Sequence, residues 1–368
     1  MKLGQTISWL MGSLQRSLFP HLEDCWRAPL SEKEQGLVTI LEMIRIEKYV
    51  PRSASDQVMG RKLSERESIA RSFVAKAVYG YPFTRSLIEA LKATPTLRRI
   101  CGFERVSDIP SESTFSRAFA EFAKSKLGDR VHNALVENSL KPELIGHVSR
   151  DSTAIEGREK PVKKMPKQKA APRKRGRPAK GEQREPKEQT RLERQCEQSA
   201  QEALEELPAF CDVGTKKNSK GFKETWIGYK LHVDVNDCGL PISVALTAAS
   251  VHDSQVAIPL MKMSSAKVDY LYDVMDAAYD AGPIYEVSRS LGHVPLIDKN
   301  PRGKEVVPMA PHEATRYNER TAVERFNSRI KEEFGADNVM VRGTQKVKMH
   351  LMFGVLALFA DHLIKLAN

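Results

Sequence analysis

Four polar side chains, Tyr317, Arg320, Glu324 and Lys331, are separated by two, three and six residues. At about 100° per residue on a helix that begins by Tyr317, they fall at roughly 0° for Arg320, 20° for Lys331, 40° for Glu324 and 60° for Tyr317. They make one stripe. Val323, Phe326, Ile330 and Phe334 fall at roughly 240° to 320° on the same wheel, so a core face lies beside the polar one. A lone carboxylate among cations and a phenol suits metal and phosphate together. The ordinary alternative is a surface helix in which Glu324 and Arg320 form an i,i+4 pair.

Two aspartates extend this chemistry. Asp276 follows the apolar run Val268 to Met275 in Asp276-Ala277-Ala278-Tyr279-Asp280, where a strand gives way to a turn. Sites gather at such strand ends, although a helix cap is the commoner use of an aspartate there. Asp151, in Arg150-Asp151-Ser152-Thr153, ends or lies within an earlier strand and could equally be an edge residue. Either aspartate alone proves little. With Glu324 they form the carboxylate set of a two-metal phosphoryl-transfer site. Such a site needs hard oxygen ligands from several elements to hold Mg²⁺ ions roughly 3.5–4 Å apart, where they activate an attacking oxygen and stabilise a leaving one.

The elements that position these residues can be read from periodicity. The first 143 residues read as a helical domain, with apolar repeats such as Leu37, Ile40, Leu41 and Ile44, then Ile69, Phe73, Val74 and Ala77. Helices are expected at Thr84–Lys92 and Glu112–Lys124. The Pro110-Ser111 turn before the second fits either a helix-turn-helix with Ser113 or Arg117 near DNA bases, or a packed bundle with solvated arginines. From about residue 144 the pattern becomes α/β. Strands are expected at 144–149, 226–235, 241–248, 268–275 and 293–298, with the second and third turning at Asn236-Asp237-Cys238-Gly239. Helices are expected at Ser254–Met263, Pro283–Leu291 and Thr321–Phe334. Five strands, the first three antiparallel and the rest joined by helices, suit an RNase H-like mixed sheet.

Charge marks an interruption. The net charge is +11, and Lys160–Lys180 alone holds ten basic residues, four prolines and no acid. That composition cannot build a core, so residues 157 to about 220 read as a basic disordered insertion carrying its own surface helix. Within it, Lys174-Arg175-Gly176-Arg177-Pro178 resembles an AT-hook, which would place Arg175 and Arg177 in the minor groove of double-stranded DNA. A solvated linker is the alternative. The cysteines form no CxxC pair, which argues against a zinc site or a disulfide framework. No secretory leader is evident, and the apolar run Leu351–Ala360 is about half the length a membrane span needs, so a cytoplasmic protein without membrane contact is expected.

Taken together, these segments resemble the bacterial insertion-sequence DDE transposases of groups four and five. Tyr317, Arg320, Glu324 and Lys331 match that family's Tyr-Arg-Glu-Lys signature without a gap. The stretches at Asp151 and Asp276 are similar to its first and second aspartate motifs. Gly228-Tyr229-Lys230-Leu231-His232, Val251-His252-Asp253-Ser254 and Pro110-Ser111-Glu112-Ser113-Thr114-Phe115 are further likenesses. Only 47 residues separate Asp276 from Glu324, which leaves no room for the large β-rich insertion of some relatives.

The resemblance implies a metal-dependent enzyme of DNA transposition, with Asp151, Asp276 and Glu324 as catalytic metal ligands and two Mg²⁺ ions, or Mn²⁺ in their place. It implies Tyr317, Arg320 and Lys331 on DNA, terminal inverted repeats and target DNA as partners, and a homodimer or higher oligomer working at the nucleoid. The same carboxylates would also serve a nuclease or resolvase of this fold. A catalytically inactive, DNA-binding descendant is the other alternative.

Overall fold

The computed structural model describes residues 30–50, 66–163, 188–217, 221–301 and 308–367. The chain opens with helices α1 (Glu32–Ile44), α2 (Arg66–Val78), α3 (Thr84–Ala93), α4 (Pro95–Ile100), α5 (Glu112–Lys124) and α6 (Leu127–Ser139). Their apolar faces close on each other: α5 buries Phe115, Phe119 and Phe122, with Phe73 of α2 edge-on to the first two rings. Ser113 and Arg117 remain exposed on its outer side.

β1 (Ile145–Glu156), β3 (Lys223–Asn236), β4 (Pro241–Ala248), β5 (Tyr270–Met275) and β6 (Val294–Ile297) are the five expected strands. They lie in the order β4-β3-β1-β5-β6, with β1 antiparallel to β3, parallel to β5, and β5 parallel to β6. This is the mixed sheet of an RNase H-like core. The β3–β4 turn falls where the sequence predicts it, with Gly239 at φ +83° and its amide bonded to Asn236 O. Helices α9 (Ser254–Ser265) and α10 (Gly282–Ser290) link β4, β5 and β6. A short helix α11 (Pro311–Tyr317), a 3₁₀ turn (Asn318–Arg320) and α12 (Thr321–Glu332) then lead to α13 (Thr344–Ala367).

Three features differ from expectation. First, the sheet has a sixth strand, β2 (Asp212–Lys217), which pairs with the outer half of β3, Asp212 facing Gly228. Residues 188–217, inside the expected disordered insertion, are therefore folded. Helices α7 (Arg191–Glu197) and α8 (Ala200–Glu205) each begin with a complete capping box, at Thr190/Glu193 and Ser199/Glu202. Lys262 on α9 donates to the carbonyls of Gln195 and Cys196 at the end of α7. Leu207 is buried with Ala245, Ala248 and Val256, so this segment contributes apolar surface that its polar composition hides.

Second, β1 runs seven residues beyond the predicted 149. Antiparallel pairing with β3 continues to Glu156 opposite Gly228, whereas parallel pairing with β5 stops at Ser149 opposite Val274. Gly228 is needed at that crossing: it sits at φ +153°, and a Cβ there would meet Ile155 O at 2.1 Å.

Third, α13 belongs by packing to the helical half. It is long and apolar enough to cross a membrane by composition, yet most of it is buried against α1, α2, α5 and α6, with Phe353 stacked on Phe73 at 5.4 Å. A boundary drawn at residue 144 thus separates α13 from the helices it completes. The four described cysteines are free.

Candidate active site

Asp151 lies just past the last rung between β1 and β5, and Asp276 is the first residue after β5, so both sit where the two parallel strands part. Strand alternation puts Ser149 and Asp151 on the face that α12 covers. Ser149 Oγ donates to Glu319 O at 3.0 Å, and Asn327 Nδ2 donates to Asp151 Oδ2 at 3.1 Å. Asp276 caps the 3₁₀ turn Ala277–Tyr279 through Oδ1, which accepts from the Ala278 amide at 2.9 Å. Its other oxygen is 3.7 Å from Arg320 Nη2. The capping use and the site use thus take different oxygens.

Arg320 joins the third carboxylate to the group. Its Nη1 donates to Glu324 Oε1 at 2.5 Å, while Nε is buried without a hydrogen-bond partner among the described residues. Tyr317 belongs to α11, and the tighter 3₁₀ winding of residues 318–320 makes three residues nearly one turn. Tyr317 therefore aligns with Arg320 more closely than an unbroken helix would allow. Burial pushes its phenol up to about 12, with Arg320 pulling down and Asp298, Asp276 and Glu324 pushing up. Val323, Phe326, Ile330 and Phe334 are buried as the wheel predicts. Lys331 is half-buried, two turns beyond Glu324 on the same helix. Arg175 and Arg177 lie outside the described residues.

The electrostatics are out of balance. Burial pushes the Asp151 carboxyl up to about 6; the Ser152 amide and Arg320 hold it down, while Asp276 and Asp253 push it further. Asp276 is raised too, by burial, against the Ala278 amide and Arg320. Three carboxylates share one guanidinium, which leaves two negative charges unmatched when all are ionised. Carboxylate oxygens with surplus negative charge suit a divalent ion such as Mg²⁺. Among the described residues no three His, Cys, Asp or Glu side chains stand close enough to hold an ion as they are. The Arg320 guanidinium stands between Asp276 and Glu324.

Sequence reasoning assigned no role to the residues around this cluster. Asp253, in the loop before α9, accepts from Ser152 Oγ at 2.8 Å and Lys230 Nζ at 2.9 Å. Burial would raise its carboxyl, but His232, Lys230 and Ser152 hold it below the usual range. His232 donates or accepts through Nε2 with Thr247 Oγ1 at 2.9 Å, and burial lowers its imidazole to about 4. The two stretches named above for their likeness, residues 228–232 and 251–254, thus meet at one ion pair. A lysine within a buried strand is the signal that could have found it, since a buried ammonium requires a carboxylate. Asn327 falls at about 340° on the α12 wheel, between the core face and the polar stripe.

Beneath the site, the next residue along β1 points to the opposite face. Arg150 is fully buried and forks onto Asp234, with both bonds 2.7 Å, and its Nη1 reaches Asp273 at 3.4 Å. Ser264 and Ser288 donate to Asp234 and Asp273, each at 2.6 Å.

A mixed sheet in the RNase H order, with acids where its two central parallel strands diverge, defines a nucleic-acid-processing core. The comparisons agree. The family model described as Transposase DDE domain matches residues 147–360, more than half of the chain, and one described as Transposase domain (DUF772) matches residues 28–121. The chain belongs to the DDE transposase family. No curated protein and no solved structure matches it significantly.

Proposed function

We propose that this transposase cuts DNA at the ends of its element and joins the freed 3′ ends to target DNA, using Asp151, Asp276 and Glu324 as metal ligands. The observation that carries this reading is the surplus of negative charge around Arg320, where burial raises Asp151 and Asp276. Bound Mg²⁺ would supply the Lewis acidity that phosphodiester chemistry needs. Asn327 orients Asp151, and the Ala278 amide fixes Asp276, so neither carboxylate must be ordered at the moment of reaction. Tyr317 at the end of α11, Arg320 in the 3₁₀ turn and Lys331 on α12 make up the side from which a DNA phosphate would approach.

The ten cations of Lys160–Lys180, Arg175 and Arg177 among them, supply non-specific affinity for double-stranded DNA. The protein acts in the cytoplasm on nucleoid DNA, as a homodimer or higher oligomer that holds two inverted repeats.

Incubating the purified protein and Mg²⁺ with DNA carrying the inverted repeats tests this. Cut and joined products are expected. Cutting without joining would make it a nuclease or resolvase, and binding without cutting would make it an inactive descendant.

A further inference from the structure

Arg320 keeps only a fifth of its side chain exposed, and its two terminal nitrogens serve two different carboxylates. Asp151 lies within its electrostatic reach as well. A guanidinium carries one charge spread over a plane, so it can satisfy the cluster only in part. A divalent ion brings twice the charge and draws oxygens to about 2.0–2.1 Å. Both cannot hold the same oxygens of Asp276 and Glu324 together.

We infer that Arg320 is the resident counter-ion of the carboxylate cluster: it occupies Asp276 and Glu324 until a divalent ion replaces it, and the exchange frees its guanidinium for a DNA phosphate. The inference rests on the metal-ligand reading above. Two consequences follow from charge alone. Without DNA, an entering ion must displace a bonded cation, so metal affinity is held down. With DNA, a phosphate gives the displaced guanidinium a new partner, so DNA and metal each strengthen the binding of the other. The site is thereby kept short of metal until its substrate arrives.

The test is Mn²⁺ affinity, measured by the electron paramagnetic resonance signal of the free ion, on the full chain with and without an uncleavable duplex. Arg320→Ala and Arg320→Gln should bind Mn²⁺ more tightly than the wild type without DNA, by roughly 5- to 50-fold, the usual size of such couplings. Duplex should tighten Mn²⁺ binding to the wild type but leave both variants unchanged. Arg325→Ala, which removes an exposed cation of α12 that pairs with no carboxylate among the described residues, should bind Mn²⁺ as the wild type does and still respond to duplex. Circular dichroism melting shows that each variant is folded. Equal or weaker Mn²⁺ binding by folded Arg320 variants overturns the inference while the metal site stands. So does the same gain in Arg325→Ala, since that would be a general charge effect. Absence of binding in every protein, with duplex present, overturns the metal-ligand reading itself.

Discussion

Arg150 and Asp151 are neighbours on one strand, yet they belong to two charge clusters built on opposite principles. On the α9 and α10 side, Arg150, Asp234 and Asp273 are fully buried and hydrogen-bonded to one another, one guanidinium against two carboxylates, with serine hydroxyls completing the aspartates and His293 Nδ1 3.3 Å from Asp273. Burial works against the charge of Arg150, but the two aspartates more than offset it. On the α12 side, Asp151, Asp276 and Glu324 are partly open and short of positive charge. One cluster ties β1, β3 and β5 together; the other is held in place by it and remains unsatisfied. A polar group that is fully answered by its own chain is doing structural work, and one left short is waiting for something outside it.

The sharpest way to break this contrast is to remove the paired cation. Arg150→Met should cost about 3–5 kcal/mol, because it strands two buried carboxylates. Chemical denaturation would measure it, with the variant poorly folded at 37 °C and cleavage lost along with the fold. A loss below about 1 kcal/mol would show that the network is not what holds the central strands.

Asp151→Asn should do the reverse, abolishing cleavage while stabilising the metal-free protein. Folding raises this carboxyl from its ordinary 3.8 to about 6, so the protonated form is the one the fold prefers. Its contribution is fully present below about pH 3.8 and is lost as pH rises through about 6. A shift of that size corresponds to at most about 3 kcal/mol. Asparagine stays neutral, so the variant should melt higher than the wild type at pH 7.5, with the difference vanishing near pH 4. A variant that melts lower at pH 7.5 would place Asp151 with the satisfied cluster instead.

How much of this contrast could be read from the sequence follows from what each part depends on. The strands of the core and helix α12 show in the sequence because their apolar periods are local. So do the candidate site residues, because Tyr317, Arg320, Glu324 and Lys331 lie within one continuous helical stretch, α11 through the 3₁₀ turn to α12, and Asp276 directly follows a buried run. The pairing of Lys230 with Asp253 depends on where β3 and the α9 loop meet, 23 residues apart, and no period encodes that. Strand β2 was hidden for a related reason: its outer residues Lys216 and Lys217 are exposed and polar, and Gly214 packs under Trp226 of β3, a contact no period encodes. Arg150 was invisible because a lone arginine beside an aspartate reads as surface until the partners on β3 and β5 are known.

A smaller effect should follow from Asn327→Ala, which removes the bond to Asp151 but also a buried Oδ1 that has no partner. The two changes oppose each other, so stability should move by less than about 1 kcal/mol. With Asp151 free to turn, kcat should fall several-fold while the KM for DNA stays level. Asn327→Asp should be worse than alanine, because it adds a fourth anion to a cluster already short of cations. If KM rises instead, Asn327 contacts DNA and does not orient Asp151.

The smallest effect belongs to Lys331, which shares the polar stripe of α12 but reaches neither the carboxylates nor the buried network. Its ammonium pairs with no carboxylate among the described residues, so Lys331→Ala should leave the unfolding free energy within about 0.5 kcal/mol of the wild type, as at other surface positions. What it should lose is one phosphate. Each phosphate contact contributes about 0.9 to the slope of log K against log salt, so the variant should bind duplex with a slope shallower by that amount at every sequence tested. Removing Lys160–Lys180 should lower the slope by several such steps, which sets the scale for judging the single one. Were Lys331→Ala to melt lower with an unchanged slope, the α12 part of the stripe would be a solvated face, and the DNA-facing reading would have to rest on Arg320 and Tyr317 just before that helix.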